Sequence, residues 1–262
     1  MEQDTLIRSA AAALDGHVQS LFLAGSHGKG TQDAFSDIDF LAIAPPEAHA
    51  AIATLWRDTL ESLAPIVFWN EQTGRGTLLN AITENWLRID LFIAGPETLE
   101  RRAQSLLKPL IDTAGHHARL PADLPPAAPN SRAVAYQIRE FLRVLGLLPV
   151  ALKRGEHVTI VKGIQILRDL LTDLMLEECT VADKGGILHL SRLLPQEDME
   201  TLRALPYPGP QPEALIVAHK AMAEAFLPRA RRLAKALELD WPEAFEAATR
   251  AHLEREAGLT FA

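Results

Sequence analysis

The periodicity of the chain changes at one place, and that change limits the fold more than any other feature. Residues 121–130 (Pro-Ala-Asp-Leu-Pro-Pro-Ala-Ala-Pro-Asn) contain four prolines. Proline removes a backbone donor and fixes φ, so regular structure does not survive at that density. Before this segment, short apolar runs alternate with helical stretches. After it, only helical spacing remains.

The first part reads as a helix over 4–18, a buried strand over 19–24 and a loop over 25–36 that has room for one short turn. A strand over 37–44 and a helix over 47–63 follow. Ile66–Trp69, Thr77–Thr83 and Trp86–Ala94 read as strands, and Pro109–Asp112 as one more. Only Glu84-Asn85 separates the second and third of these, which predicts a hairpin and hence a mixed sheet. Beyond the prolines, Val134, Ile138, Phe141, Leu142, Leu145 and Leu148 keep helical spacing. So do Ile160, Ile164, Leu167, Leu171, Leu174 and Met175. A third helical stretch runs from about 213 to 239, with a kink or break expected at Pro228. The expected fold class is α+β: a mixed sheet flanked by helices (1–115), a Pro-rich linker (116–130) and an α-helical bundle domain (131–262).

Composition excludes several classes. With 48% apolar and 23% charged residues, the chain can form a core and is not disordered. The net charge of −8 argues against a nucleic-acid-coating surface. The excess acid is uneven: residues 1–130 hold 9 Lys/Arg against 16 Asp/Glu, and residues 131–262 hold 17 against 18. The single cysteine, Cys179, makes neither an intramolecular disulfide nor a cysteine zinc site. Neither a signal peptide nor an apolar run of membrane-spanning length is seen, so a cytoplasmic protein with no membrane partner is expected.

The chemistry lies between Leu23 and Phe40. Gly, Lys and Thr stand close together there, but a P-loop needs Gly at 23 and Ser or Thr at 30. This chain has Leu23 and Gly30. A different pattern fits: Gly25-Ser26 follows a strand and Asp37-Ile38-Asp39 opens the next. Residues i and i+2 of a strand share a face, so the two carboxylates repel each other and are costly unless divalent cations neutralise them. Gly25 permits close approach of a phosphate, Ser26 adds a hydroxyl, and Lys29 could neutralise a terminal phosphate. Asp90 is a lone acid in the apolar strand Leu-Arg-Ile-Asp-Leu-Phe-Ile. Asp-x-Asp alone is commonly a surface turn, and Gly-Ser alone means little. The combination carries the reading.

Ala24-Gly25-Ser26 followed by Asp37-Ile38-Asp39-Phe40 resembles the signature of the DNA polymerase beta-like nucleotidyltransferase superfamily, over about residues 20–94. Asp90 sits where the third carboxylate of that superfamily belongs. It departs from those members that carry Glu, which bears on its role as a base. The layout of the whole chain is similar to the antibiotic nucleotidyltransferases of the lincosamide and aminoglycoside types. Leu152-Lys-Arg-Gly-Glu156 resembles a stretch of the lincosamide type. The resemblance implies a nucleotidyltransferase-type sheet and two Mg²⁺ ions held by Asp37, Asp39 and Asp90. It implies transfer of a nucleoside monophosphate, AMP from ATP, to a small-molecule hydroxyl with release of pyrophosphate, and Asp90 as second-metal ligand, base or both.

Other residues carry weaker expectations. Lys153, Arg154 and Lys162 could bind the triphosphate from a cleft wall in the bundle, or be solvated charges at a helix end. Asp169, Asp173 and Glu177 form one stripe at i, i+4 and i+8, suited to a cationic acceptor or simply solvated. His27, His116 and His117 show no metal spacing, and Trp69, Trp86 and Trp241 are expected in the core. A protein-modifying AMP transferase and a non-catalytic nucleotide-binding module are the alternatives, and a homodimer is left open.

Overall fold

A computed structural model describes residues 3–181 and 187–261. By backbone contacts the chain separates into two compact units, 1–125 and 126–262. The first contains α1 (Gln3–Leu14), β1 (Ser20–Leu23), α2 (Gly25–Lys29), β2 (Ile38–Ile43) and α3 (His49–Leu63). It continues through β3 (Ile66–Thr73), β4 (Thr77–Thr83), β5 (Arg88–Ala94) and β6 (Lys108–Asp112). The sheet order is β3-β4-β5-β2-β1-β6. Only β2 and β5 pair in parallel; the other neighbours are antiparallel, so the sheet is mixed as the hairpin requires.

Alternation along the strands assigns the two faces. Ile38 and Phe40 of β2, Leu79 and Ala81 of β4, and Ile89 and Leu91 of β5 join one core with Leu6 and Leu14 of α1 and Trp56 and Leu60 of α3. Phe40 and Trp56 meet edge-to-face at 5.1 Å. The intervening residues face the other way, where Phe22, Leu41 and Ile43 pack with Leu99 and Leu107. Asp39 and Asp90 belong to this second phase.

Within 25–36 the short turn is Gly25–Lys29, a five-residue helix ended by Gly30 in the left-handed conformation, while two other local expectations change. At Gly28 a Cβ would stand 2.4 Å from the Leu106 carbonyl oxygen, so the tight seat of this helix requires glycine. β3 runs past Trp69 to Thr73, because its polar end still pairs with β4. Trp86 is not core: it is 75% exposed in the β4–β5 turn, with φ of 63°. The buried tryptophan is Trp56.

The second unit contains α4 (Ser131–Leu145), α5 (Leu148–Lys153), α6 (His157–Glu178), α7 (Leu190–Leu193), α8 (Gln196–Ala204), α9 (Pro212–Ala236) and α10 (Glu243–Ala257). Asn130 caps α4 by accepting from the Arg132 and Ala133 amides. Phe141 stacks on Phe226 with ring centroids 3.8 Å apart, inside a core that includes Leu145, Leu171 and Met222. Pro228 does not break α9. Phe226, Leu227 and Ala230 around it are buried, and Arg229 bridges to Glu178 and Asp198, so tertiary contacts hold the helix through the missing donor. Among the described residues no helix is long and apolar enough to cross a membrane.

Candidate active site

The centre of the site is the parallel β2–β5 pair. Asp39 and Asp90 are direct cross-strand partners. Neighbouring strands lie about 4.8 Å apart, so two carboxylates are held side by side in the phase opposite the α1/α3 core. Asp37 precedes β2, and its Oδ2 lies 3.4 Å from Arg88 Nη2. Arg88 Nη2 also donates to the Phe35 carbonyl at 3.4 Å, tying the 31–37 loop to the start of β5.

Burial, then the Asp37 and Asp90 carboxylates, push the Asp39 carboxyl up to about 6, against the opposing pull of Arg88 and Lys29. This is the electrostatic signature of acids assembled without enough positive charge.

Backbone seats Asp39 against the start of α2. The Ala24 amide donates to the Asp39 carbonyl at 2.9 Å. Gly25 has φ of 53°, and a Cβ there would stand 1.9 Å from Asp39 Oδ2. Only glycine allows this approach. Ser26 and His27 are both buried, and neither Ser26 Oγ nor His27 Nε2 has a hydrogen-bond partner. Burial lowers the His27 pKa, while Asp37 and Asp4 pull it upward. The Ser26 hydroxyl is thus a buried polar group left unsatisfied one residue after the glycine that meets Asp39.

The structure therefore brings Gly25, Ser26, Lys29, Asp37, Asp39 and Asp90 to one end of the sheet. Among the described residues, no group of three or more His, Cys, Asp or Glu is arranged to hold a metal ion. The donor set still suits a hard divalent cation: carboxylate oxygens, a free hydroxyl and a net repulsion that a cation would relieve.

Lys153, Arg154 and Lys162 lie in the second unit. Lys153 ends α5 and pairs with Glu256 of α10, Arg154 follows at the helix end, and Lys162 is in α6. Of the acidic stripe, Asp169 and Asp173 line a cavity of about 470 Å³ together with Arg168, Arg203 and Tyr207, so its acids and arginines are equal in number. Glu177 instead accepts from the Asn130 amide at 2.7 Å. Burial, then Asp169 and Glu177, raise the Asp173 pKa. His116 and His117 serve a turn: their amides donate to the Asp112 carboxylate, and His116 Nδ1 lies 2.8 Å from Ser20 Oγ.

Sequence reasoning missed Arg88 and Asn80. Arg88 lies two residues before Asp90 and so shares its phase. Asn80 stands opposite Asp90 across β4–β5, and its Nδ2 donates to Asp90 Oδ1 at 2.9 Å. Alternation gave the phase of both, but only the strand register shows that they meet the acids.

A sequence profile described as streptomycin adenylyltransferase matches residues 2–256. No curated protein matches the chain. Similar solved structures include an aminoglycoside 6-adenyltransferase from Bacillus subtilis, at 14% identity over 96% of this chain and 97% of that one, with a TM-score of 0.41. The Thermotoga maritima CCA-adding enzyme complexed with tRNA is another, at 13% identity over 98% of this chain and 71% of that one, with a TM-score of 0.38.

Proposed function

From the premise that the chain belongs to the streptomycin adenylyltransferase family and is a nucleotidyltransferase, we propose that it transfers AMP from ATP to a hydroxyl of a cationic, aminoglycoside-like small molecule. The observation that carries this is the Asp39–Asp90 rung with Gly25 seated against Asp39. It supplies paired carboxylates whose burial and mutual repulsion a bound cation would relieve, and the unpartnered Ser26 hydroxyl follows Gly25 directly in the chain.

In this reading Asp37 and Asp39 would hold Mg²⁺, and Asp90 would join them or take the acceptor's proton. When bound, the cation would offset phosphate charge and stabilise the attacking and leaving oxygens. The acceptor hydroxyl attacks the α-phosphorus in line, the bond to the β-phosphate oxygen breaks and pyrophosphate leaves. Ser26 and Lys29 orient the triphosphate, and most of the rate comes from positioning and charge. The match to a family described as streptomycin adenylyltransferase supports a cationic aminoglycoside acceptor over a lincosamide, which has fewer amines.

The test is pyrophosphate release with ATP and Mg²⁺ in the presence of streptomycin, a second aminoglycoside, lincomycin or no acceptor. Release with an aminoglycoside that is lost in Asp39→Asn is expected. Release without any acceptor would favour self- or protein modification, and no release under any condition would favour a nucleotide-binding module.

A further inference from the structure

Asp90 is the end of a polar relay that crosses three strands. Asn70 of β3, Asn80 of β4 and Asp90 of β5 are successive cross-strand partners, and Asp39 of β2 continues the same rung. Asn70 Nδ2 donates to Asn80 Oδ1 at 3.2 Å, and Asn80 Nδ2 donates to Asp90 Oδ1 at 2.9 Å.

The relay has a direction. An ionised carboxylate only accepts, so Asp90 requires the NH₂ end of Asn80. Turned the other way, Asn80 would set a carbonyl oxygen against a carboxylate oxygen. The Asn70 donor occupies Asn80 Oδ1 and so favours the productive orientation. Asp90 Oδ1 thereby accepts from the amide, and Oδ2 stays outside that hydrogen bond.

We propose that Asn80 is a positioning residue for Asp90, and that Asn70 acts one step further out by fixing the Asn80 amide. The inference rests on the reading that Asp90 takes part in nucleotidyl transfer, and it adds that two residues outside the acid set control the aim of that carboxylate. Hydrogen-bond partners of metal-ligating side chains typically contribute about 10–100-fold to metal affinity or activity, the scale expected if Asp90 is such a ligand.

The experiment measures kcat and KM for ATP and acceptor in the full-length protein. Asn80→Ala is expected to lower kcat about 10–100-fold with both KM values within about twofold. Asn70→Ala is expected to lower it only a few-fold, because Asn80 can still donate. Asn70→Asp is the discriminating variant. Its carboxylate would draw the Asn80 NH₂ away from Asp90, so its loss in kcat should approach that of Asn80→Ala although the side chain keeps its size. In the Asn80→Ala background, either substitution at Asn70 should add nothing. Thermal midpoints and near-UV circular dichroism confirm folding, and Asn80→Ser provides a second truncation if the alanine variant does not fold.

Wild-type kcat in Asn70→Asp, a loss that appears in KM, or additive effects of the two asparagines would overturn the relay. Asp90→Asn separates this from failure of the site. If that variant is inactive while Asn80→Ala turns over normally, only the relay falls. If Asp90→Asn is fully active, both fall.

Discussion

Asp39 sits where ionisation is opposed from two sides, by burial and by its neighbours Asp37 and Asp90. Its carboxyl titrates near 6 when folded, against an ordinary value of 3.8. The folded chain thus holds this proton more tightly than the unfolded chain. The resulting stability is fully present below pH 3.8 and is lost as pH rises through about 6. At neutral pH the ionised site costs about 1–2 kcal/mol once solvent screening is allowed for. Asp39→Asn should therefore raise the metal-free thermal midpoint at pH 7 by a few degrees, with no gain near pH 3.5, while lowering nucleotidyl transfer by roughly 10³-fold. Calorimetry against pH and a pyrophosphate assay check the two halves, and a lower midpoint at pH 7 would contradict the electrostatic account. Gly25→Ala tests the same point sterically. The added methyl would displace the Asp39 carboxylate, and the left-handed φ costs about 1–2 kcal/mol for a non-glycine residue. Activity should fall far more than stability, as kinetics and urea titration on one preparation would show.

Elements differ in how openly the sequence declares them. Apolar alternation makes β4 and β5 readable, and the amphipathic spacing of α4 does the same. The span of α2 is hidden, because Gly-Ser-His-Gly-Lys has weak helical propensity and its close seat against Leu106 decides the matter. The end of β3 is hidden because Asn70-Glu-Gln-Thr lacks an apolar pattern, and its partner is an asparagine on another strand. Asp37, Asp39 and Asp90 stand out as acids in or beside apolar strands. Their being neighbours depends on the β2–β5 register, which no single strand encodes, and Arg88 and Asn80 were missed for that reason. Tertiary anchoring likewise explains why α9 continues past Pro228. Arg229 joins α9 to Glu178 of α6 and to Asp198 of α8, and Asp198 is only 5% exposed. Replacing Arg229 with methionine leaves a buried carboxylate without its partner, a loss of about 3–5 kcal/mol. The urea midpoint should fall accordingly. Adding Asp198→Asn to that variant should recover part of the loss, whereas no recovery would locate the effect in packing.

Across the whole molecule, charge and architecture divide in the same way. The excess acid lies in residues 1–130, with 16 Asp/Glu against 9 Lys/Arg, while the later residues are nearly balanced. Each compact unit has its own apolar core, one around Trp56 and Phe40 and one around Phe141 and Phe226. A ligand that binds the folded form stabilises the cooperative unit that holds it, by about 2.7 kcal/mol at a hundredfold excess over Kd. If Mg²⁺ binds at the Asp39–Asp90 rung, its protection should enter through the first unit. Hydrogen exchange with and without Mg²⁺, in the absence of nucleotide, should show amides of β2, β5 and α2 slowed by up to about 100-fold at that saturation. Exchange across α4, α6 and α9 should stay unchanged. Asp39→Asn should remove the protection without altering the baseline of the helical unit. Equal slowing in both units would mean that they open as one cooperative block. Slowing confined to the helical unit would move the metal site away from the sheet altogether.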